Sequence, residues 1–208
     1  MREETFVSQQ VTLIFLSMAL VAALSEFQKI PKHTLHWVAF LYFVANNIRY
    51  FYGDMRWSES DSTLRKDNPG VERAVDVHFY VITRLLVVLQ ALQINDLQHF
   101  LWMLAAAQFV GAIYLVISMN LIYDLSKDQK LRKVQWHWFW FNVAELATTL
   151  VGSLILMARE DICRILPSLG VVDLYAWAVG LVFLILFLIQ LLDWTMHQEF
   201  LFGTSSKA

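Results

Sequence analysis

The sequence predicts an all-α fold: a polytopic integral membrane helix bundle of about six transmembrane helices, with the N and C termini cytoplasmic. Three observations carry this reading. Of 208 residues, 58% are hydrophobic and 16% charged, against roughly 45–50% and about 25% in an ordinary soluble domain, and mean hydropathy is +0.50. Six segments come near the length of about 20 apolar residues that a helix needs to cross the hydrocarbon layer. The three prolines, Pro31, Pro69 and Pro167, all fall between those segments, where a missing amide donor costs no helical hydrogen bond.

Residues 6–27 form the first span. Its acidic Arg-Glu-Glu lead-in is wrong for the basic start of a signal peptide, so VAALSE (21–26) is read as helix rather than as a cleavage site. The second span, 35–52, begins as an apolar run and then carries Asn46, Asn47 and Arg49. The third, 75–94, is interrupted by Asp76, His78 and Arg84. The fourth, 100–123, sets Ala107, Gly111 and Ser118 on one side, the small-residue pattern that lets helix backbones approach closely. The fifth, 138–158, opens on the aromatic belt QWHWFWF, and the sixth, 174–194, ends at Trp194; amphipathic rings suit the membrane boundary. The chain is thus one transmembrane domain over 1–208, with its longest cytoplasmic loop at 53–72.

Orientation follows from the basic residues in the short connections. One side takes Arg2, Arg56, Arg65, Lys66, Arg73, Lys127, Lys130, Arg132, Lys133 and Lys207; the other takes Lys29, Lys32, Arg159 and Arg164. The richer side is cytoplasmic, and a bacterial inner membrane is the expected location. Most polar residues inside the spans then fall in the cytoplasmic half, Asn120 among them, while Gln90, Gln93 and Gln108 fall in the outer half.

At 100° per residue, several of these residues share a helix face. Span two aligns Tyr42, Asn46, Arg49 and Gly53, with Asn47 pointing about 100° away. Span three places Asp76, Tyr80, Thr83, Arg84 and Gln90 within about 120°, with His78 opposite. Span five gathers Asn142, Glu145, Thr149, Gly152 and Ser153, and span six Gln190, Asp193 and His197. The expected polar pathway or cavity is therefore lined by Asn46, Arg49, Asp76, Tyr80, Arg84, Asn142, Glu145, Gln190, Asp193 and His197. Arg84 and Glu145 lie at similar depth in antiparallel spans, and each would cost about 2.5–3.5 kcal/mol alone at a helix centre on insertion scales, so the two are expected to pair.

No catalytic signature is found. The sequence has no P-loop, nucleophile elbow, zinc-protease helix or potassium filter, and the lone Cys163 excludes an intramolecular disulfide. Asp193 and His197 are spaced for a shared metal, but His33 and His36 lie on the other side of the membrane, so no metal or cofactor is assigned. The favoured function is a small channel or transporter with a polar pathway or cavity open to the cytoplasmic leaflet. Two alternatives are a non-enzymatic anchor, sensor or effector subunit, as in bacterial defence systems, and an intramembrane enzyme using Arg49, Asp76, His78, Asp193 and His197 on lipid headgroups. Expected partners are the lipid bilayer, further copies of the chain and a cytosolic protein docking through 53–72 and 124–135; nucleic acid is not expected.

Overall fold

A computed structural model describes the backbone of residues 2–29, 33–60, 69–122, 128–165 and 171–197, and the side chains of 11–29, 33–53, 75, 77–122, 128–158 and 175–197. Six helices make up the described chain: α1 (Arg2–Phe27), α2 (Thr34–Ser60), α3 (Pro69–Leu92), α4 (Leu97–Ile117), α5 (Gln129–Ile165) and α6 (Val171–Met196). No strand occurs among the described residues. Of the two loops expected to dock a cytosolic partner, 61–68 and 124–127 lie outside the described residues, while 53–60 and 69–72 belong to α2 and α3 and 129–135 to α5.

The helices run past the apolar segments that announce them. α5 has 37 residues, about 55 Å at 1.5 Å per residue, against a hydrocarbon layer of about 30 Å. Hydropathy marks only the apolar stretch of such a helix; good helix formers such as the Gln-Lys-Leu-Arg-Lys start of α5 continue it in polar surroundings. Pro69 opens α3, a position where its missing N–H is unused and its fixed φ suits the first turn. Asp96 caps α4, its carboxylate accepting from the backbone N–H groups of Gln98 and His99. The end of α4 widens into a π-helical turn, Ser118–Ile122, where a uniform helix is expected from the sequence.

Neighbouring pairs are α1·α2, α2·α6, α6·α5, α5·α4, α4·α3 and α3·α1. The helices therefore close into a ring in the spatial order 1-2-6-5-4-3. Close approach inside it depends on small residues. A Cβ added at Gly152 would lie 2.9 Å from both Leu101 Cδ1 and Val182 Cγ1, and one at Gly111 would lie 3.4 Å from Asn142 Oδ1. Of the small residues expected to form a packing face on span four, Gly111 lies close to α5, and Ala107 and Ser118 are buried.

The interior has two zones. Towards the α3–α4 turn it is apolar, built from Ala39, Phe43, Phe100, Leu101, Leu104, Val182, Phe183 and Leu186. Rings interlock there, with Phe43 6.4 Å and Phe183 6.3 Å from Phe100 between centroids. Towards the other end it is polar, with Asn46, Arg49, Gln108, Asn142, Glu145, Gln190, Asp193 and His197 all buried. The outer surface reverses that distribution, since every helix exposes large apolar side chains, among them Val21, Leu41, Leu85, Phe109, Leu154 and Trp177. Three helices are long and apolar enough to cross a membrane: Leu97–Ile122, Gln129–Ala158 and Tyr175–Met196; Val11–Phe27 and Val77–Leu92 are shorter apolar helices. A protein with an apolar exterior and charges inside is arranged for lipid, because water penalises such an exterior.

Candidate functional site: a buried network on four helices

The network starts on α2, where the three- and four-residue spacing of Tyr42, Asn46 and Arg49 turns all three towards the inside of the ring. Arg49 is 5% exposed. Its Nε donates to Asp193 Oδ2 on α6. Its Nη1 lies 3.6 Å from Glu145 Oε1 on α5, beyond hydrogen-bonding distance, and neither of these two atoms has a hydrogen-bond partner. One guanidinium thus stands between two carboxylates on two different helices.

Each carboxylate leads to a further chain of contacts. Asp193 Oδ1 meets His197 Nδ1 one helical turn on, at 2.6 Å, and His197 Nε2 meets His137 Nδ1 of α5 at 3.2 Å. The rings of Trp138 and Phe141 stand edge-on to His197. Glu145 Oε2 accepts from Gln108 Nε2 of α4, and Tyr50 of α2 donates to Gln108 Oε1 at 2.7 Å, with Asn142 Oδ1 at 3.2 Å. Gln190 Nε2 donates to Asn46 Oδ1 at 2.9 Å. Tyr42 is fully buried beside them, its hydroxyl next to Gln190 and Glu145.

Of the residues expected to line a pathway, Asn46, Arg49, Asn142, Glu145, Gln190, Asp193 and His197 come together here. The described contacts of Arg84 and Tyr80 are with each other and with α1. Arg84 is buried against the Tyr80 ring, 4.9 Å from its centroid, and the Tyr80 hydroxyl pairs with Thr12 of α1 at 2.5 Å. The expected Arg84–Glu145 pair is therefore replaced: Glu145 is met by Arg49 and Gln108. Matching depth had suggested the pair, but α3 packs on α1 and α4 rather than beside α5. The Asp76 side chain lies outside the described residues, and His78 is exposed, in keeping with its opposite face.

Two asparagines bond back to their own helices. Asn47, off the Asn46 and Arg49 face, is buried and donates to Phe43 O at 2.7 Å. Asn120 is exposed on the π turn and donates to Val116 O. Thr149 and Ser153, although on the inward face of α5, bond back to Glu145 O and Thr149 O. A polar side chain in a helix can satisfy itself one turn back, so an inward position alone does not enrol it. Gln108 and Tyr50 are the members that the sequence hid, one as a lone polar residue in an apolar helix, the other inside an aromatic run.

With both acids ionised and both histidines neutral, Arg49, Glu145 and Asp193 carry one net negative charge in a place where charge is costly. Among the described residues no group of three or more His, Cys, Asp or Glu side chains is arranged to hold a metal ion. At the other end of the ring, Asn95 donates to Glu26 O and its carbonyl meets His36 Nε2 at 3.2 Å, tying the α3–α4 turn to α1 and α2. Beside it the Asp96 carboxyl is held below its ordinary range. Partial burial works against this, and the N–H groups of His99 and Gln98 with the His99 ring outweigh it.

Fold and site together define a class: an all-helical protein with helices suited to a membrane and a charged network enclosed by them. No protein family, curated protein or solved structure matches the chain.

Proposed function

We propose that this chain is a six-span protein of the bacterial inner membrane, with both termini cytoplasmic, acting as a small channel or transporter whose polar pathway opens on the cytoplasmic leaflet. The observation that carries the reading is Arg49 itself, one guanidinium between two buried carboxylates on two helices, bonded to Asp193 and ion-paired with Glu145 at 3.6 Å, longer than a hydrogen bond. A network serving only to hold helices together gains by closing such a contact, since each unpaired buried polar atom costs about 1–3 kcal/mol. A network that changes partners during a transport cycle keeps one open. Ionisable residues on inward faces of membrane helices are, in general, marks of ion or substrate paths. The positive-inside bias supports the orientation, and the apolar outer faces of α1, α2 and α3 support their crossing alongside the three longer apolar helices.

Reconstitution into sealed vesicles tests this. Ion flux above that of protein-free vesicles, lost in Arg49→Ala at equal protein content, is the expected result. Vesicles as tight as the protein-free control to protons, sodium, potassium and chloride alike would overturn it.

A further inference from the structure

We propose that Asp193 is a proton-binding site filled through His137 and His197, and that its protonation moves Arg49 from Asp193 on α6 to Glu145 on α5. The inference rests on the transport reading and names the proton as the driving or permeant ion.

Charge balance comes first. Two carboxylates share one guanidinium, so the buried group lacks one positive charge. A proton fits that deficit better than a metal ion, because Arg49 occupies the space between the acids and a metal would have to lie against a fixed cation. The second requirement is a path, and it is present. His137 is half-buried near the start of α5, its ring in contact with the buried His197 ring, which in turn contacts Asp193.

Imidazole has one donor and one acceptor nitrogen when neutral and two donors when protonated, which makes it a two-way relay. A proton taken up by His137 leaves from Nδ1 to His197 Nε2, while the Nδ1 proton of His197 passes to Asp193 Oδ1. His137 returns to the neutral form, His197 stays neutral in its other tautomer, and Asp193 has gained one proton. Among the described residues, the charged and titratable groups facing this chain are Asp193 itself on α6, Lys133 one turn before His137 on α5, and Arg49 and Tyr50 of α2 with Glu145 of α5 beyond Asp193. Trp138 and Phe141 add apolar ring contacts to His197.

The guanidinium does not give up a proton in a protein, so the relay ends at Asp193 and the next event is a movement of Arg49. Neutral Asp193 no longer holds the arginine by charge, and the Nη1 group already faces the ionised Glu145. Closing 3.6 Å to an ordinary 2.9 Å needs a shift of about 0.7 Å. The arginine thereby transfers its attachment from α6, the neighbour of α2, to α5 beyond it in the ring.

Rapid-scan infrared spectroscopy after a pH jump, on the full-length protein in lipid, reads this directly alongside vesicle flux. The expected result is a protonated-carboxyl band that grows together with histidine ring changes, is absent in Asp193→Asn, and appears at least tenfold more slowly in His137→Gln. The second variant keeps the test decisive if the first does not fold. A wild-type protein without such a band, or one whose band has the same rate in His137→Gln, overturns the proposal. Sodium, potassium or chloride flux without the band would sink the proton site and leave the transport reading standing. The band without any flux would establish the site and remove the transport reading.

Discussion

Arg49 concentrates the energetic stakes in one side chain. It uses Nε for Asp193 and points Nη1 at Glu145, a division that a planar fork permits and a single ammonium does not. Arg49→Ala leaves a buried acid without its cation and should cost about 3–5 kcal/mol. Arg49→Lys keeps the charge but serves only one acid, and we expect a loss of about 1–3 kcal/mol for the contact forgone, measured as thermal stability in detergent, with activity falling alongside. In a double-mutant cycle, Arg49→Ala with Asp193→Ala should show coupling of about 0.5–3 kcal/mol, whereas Arg84→Ala with Glu145→Ala should be additive within about 0.5 kcal/mol. Additivity in the first cycle would mean that Arg49 does not depend on Asp193. Asn46→Ala removes the acceptor of Gln190 and should impair function more than Asn47→Ala, whose amide bonds only to its own helix.

At the scale of the helix, close packing and capping decide. Gly152→Ala gains about 0.5–1 kcal/mol of helix preference, but its new methyl meets Leu101 and Val182 at 2.9 Å. Leu101 can rotate a terminal methyl aside, while Val182 is stiff at χ1, so overpacking of about 1–3 kcal/mol should win and lower the melting temperature. Asp96→Ala removes the α4 cap and should cost about 1 kcal/mol. Because the folded Asp96 carboxyl is held low, its contribution is present above the unfolded carboxylate value of about 4 and is lost as pH falls through the folded value. A stability difference between wild type and Asp96→Ala that fails to shrink in acid would contradict this. The inward stripe of α5 was legible because Asn142, Glu145, Thr149 and Ser153 repeat at helical spacing. Partnership was not, since periodicity fixes which way a side chain points and says nothing about which helix stands opposite. Depth matching chose Arg84 for Glu145; the ring order gave Arg49.

For the whole molecule, the six-helix count was readable from composition and punctuation, although Pro69, expected between helices, is the first residue of α3. Chain extension beyond the apolar segments was not, because polar helix formers leave no hydropathy signal. The proposed topology has a plain check: reporters fused at Ser60 and Gln129 should read as cytoplasmic and one at Gln98 as extracytoplasmic. A protected Gln98 would reverse the orientation. A monomer should keep the Arg49–Asp193, Gln108–Glu145 and Gln190–Asn46 contacts, which form within one chain.

The ring order 1-2-6-5-4-3 also governs how the molecule is made. α2 leaves the ribosome early, yet the neighbour that holds Arg49 is α6, separated from it in sequence by 144 residues. In the proposed six-span topology, until the last helix arrives the arginine must wait in the lipid or at its edge without Asp193, a costly interim. α6 is thus the keystone of biogenesis, inserted between α2 and α5 to close the circle. A chain stopped at residue 170 should enter the membrane and then be cleared by quality-control proteases much faster than the full-length protein in a pulse-chase experiment. Co-expressing residues 171–208 as a separate peptide should restore its lifetime, whereas the same peptide carrying Asp193→Ala should not.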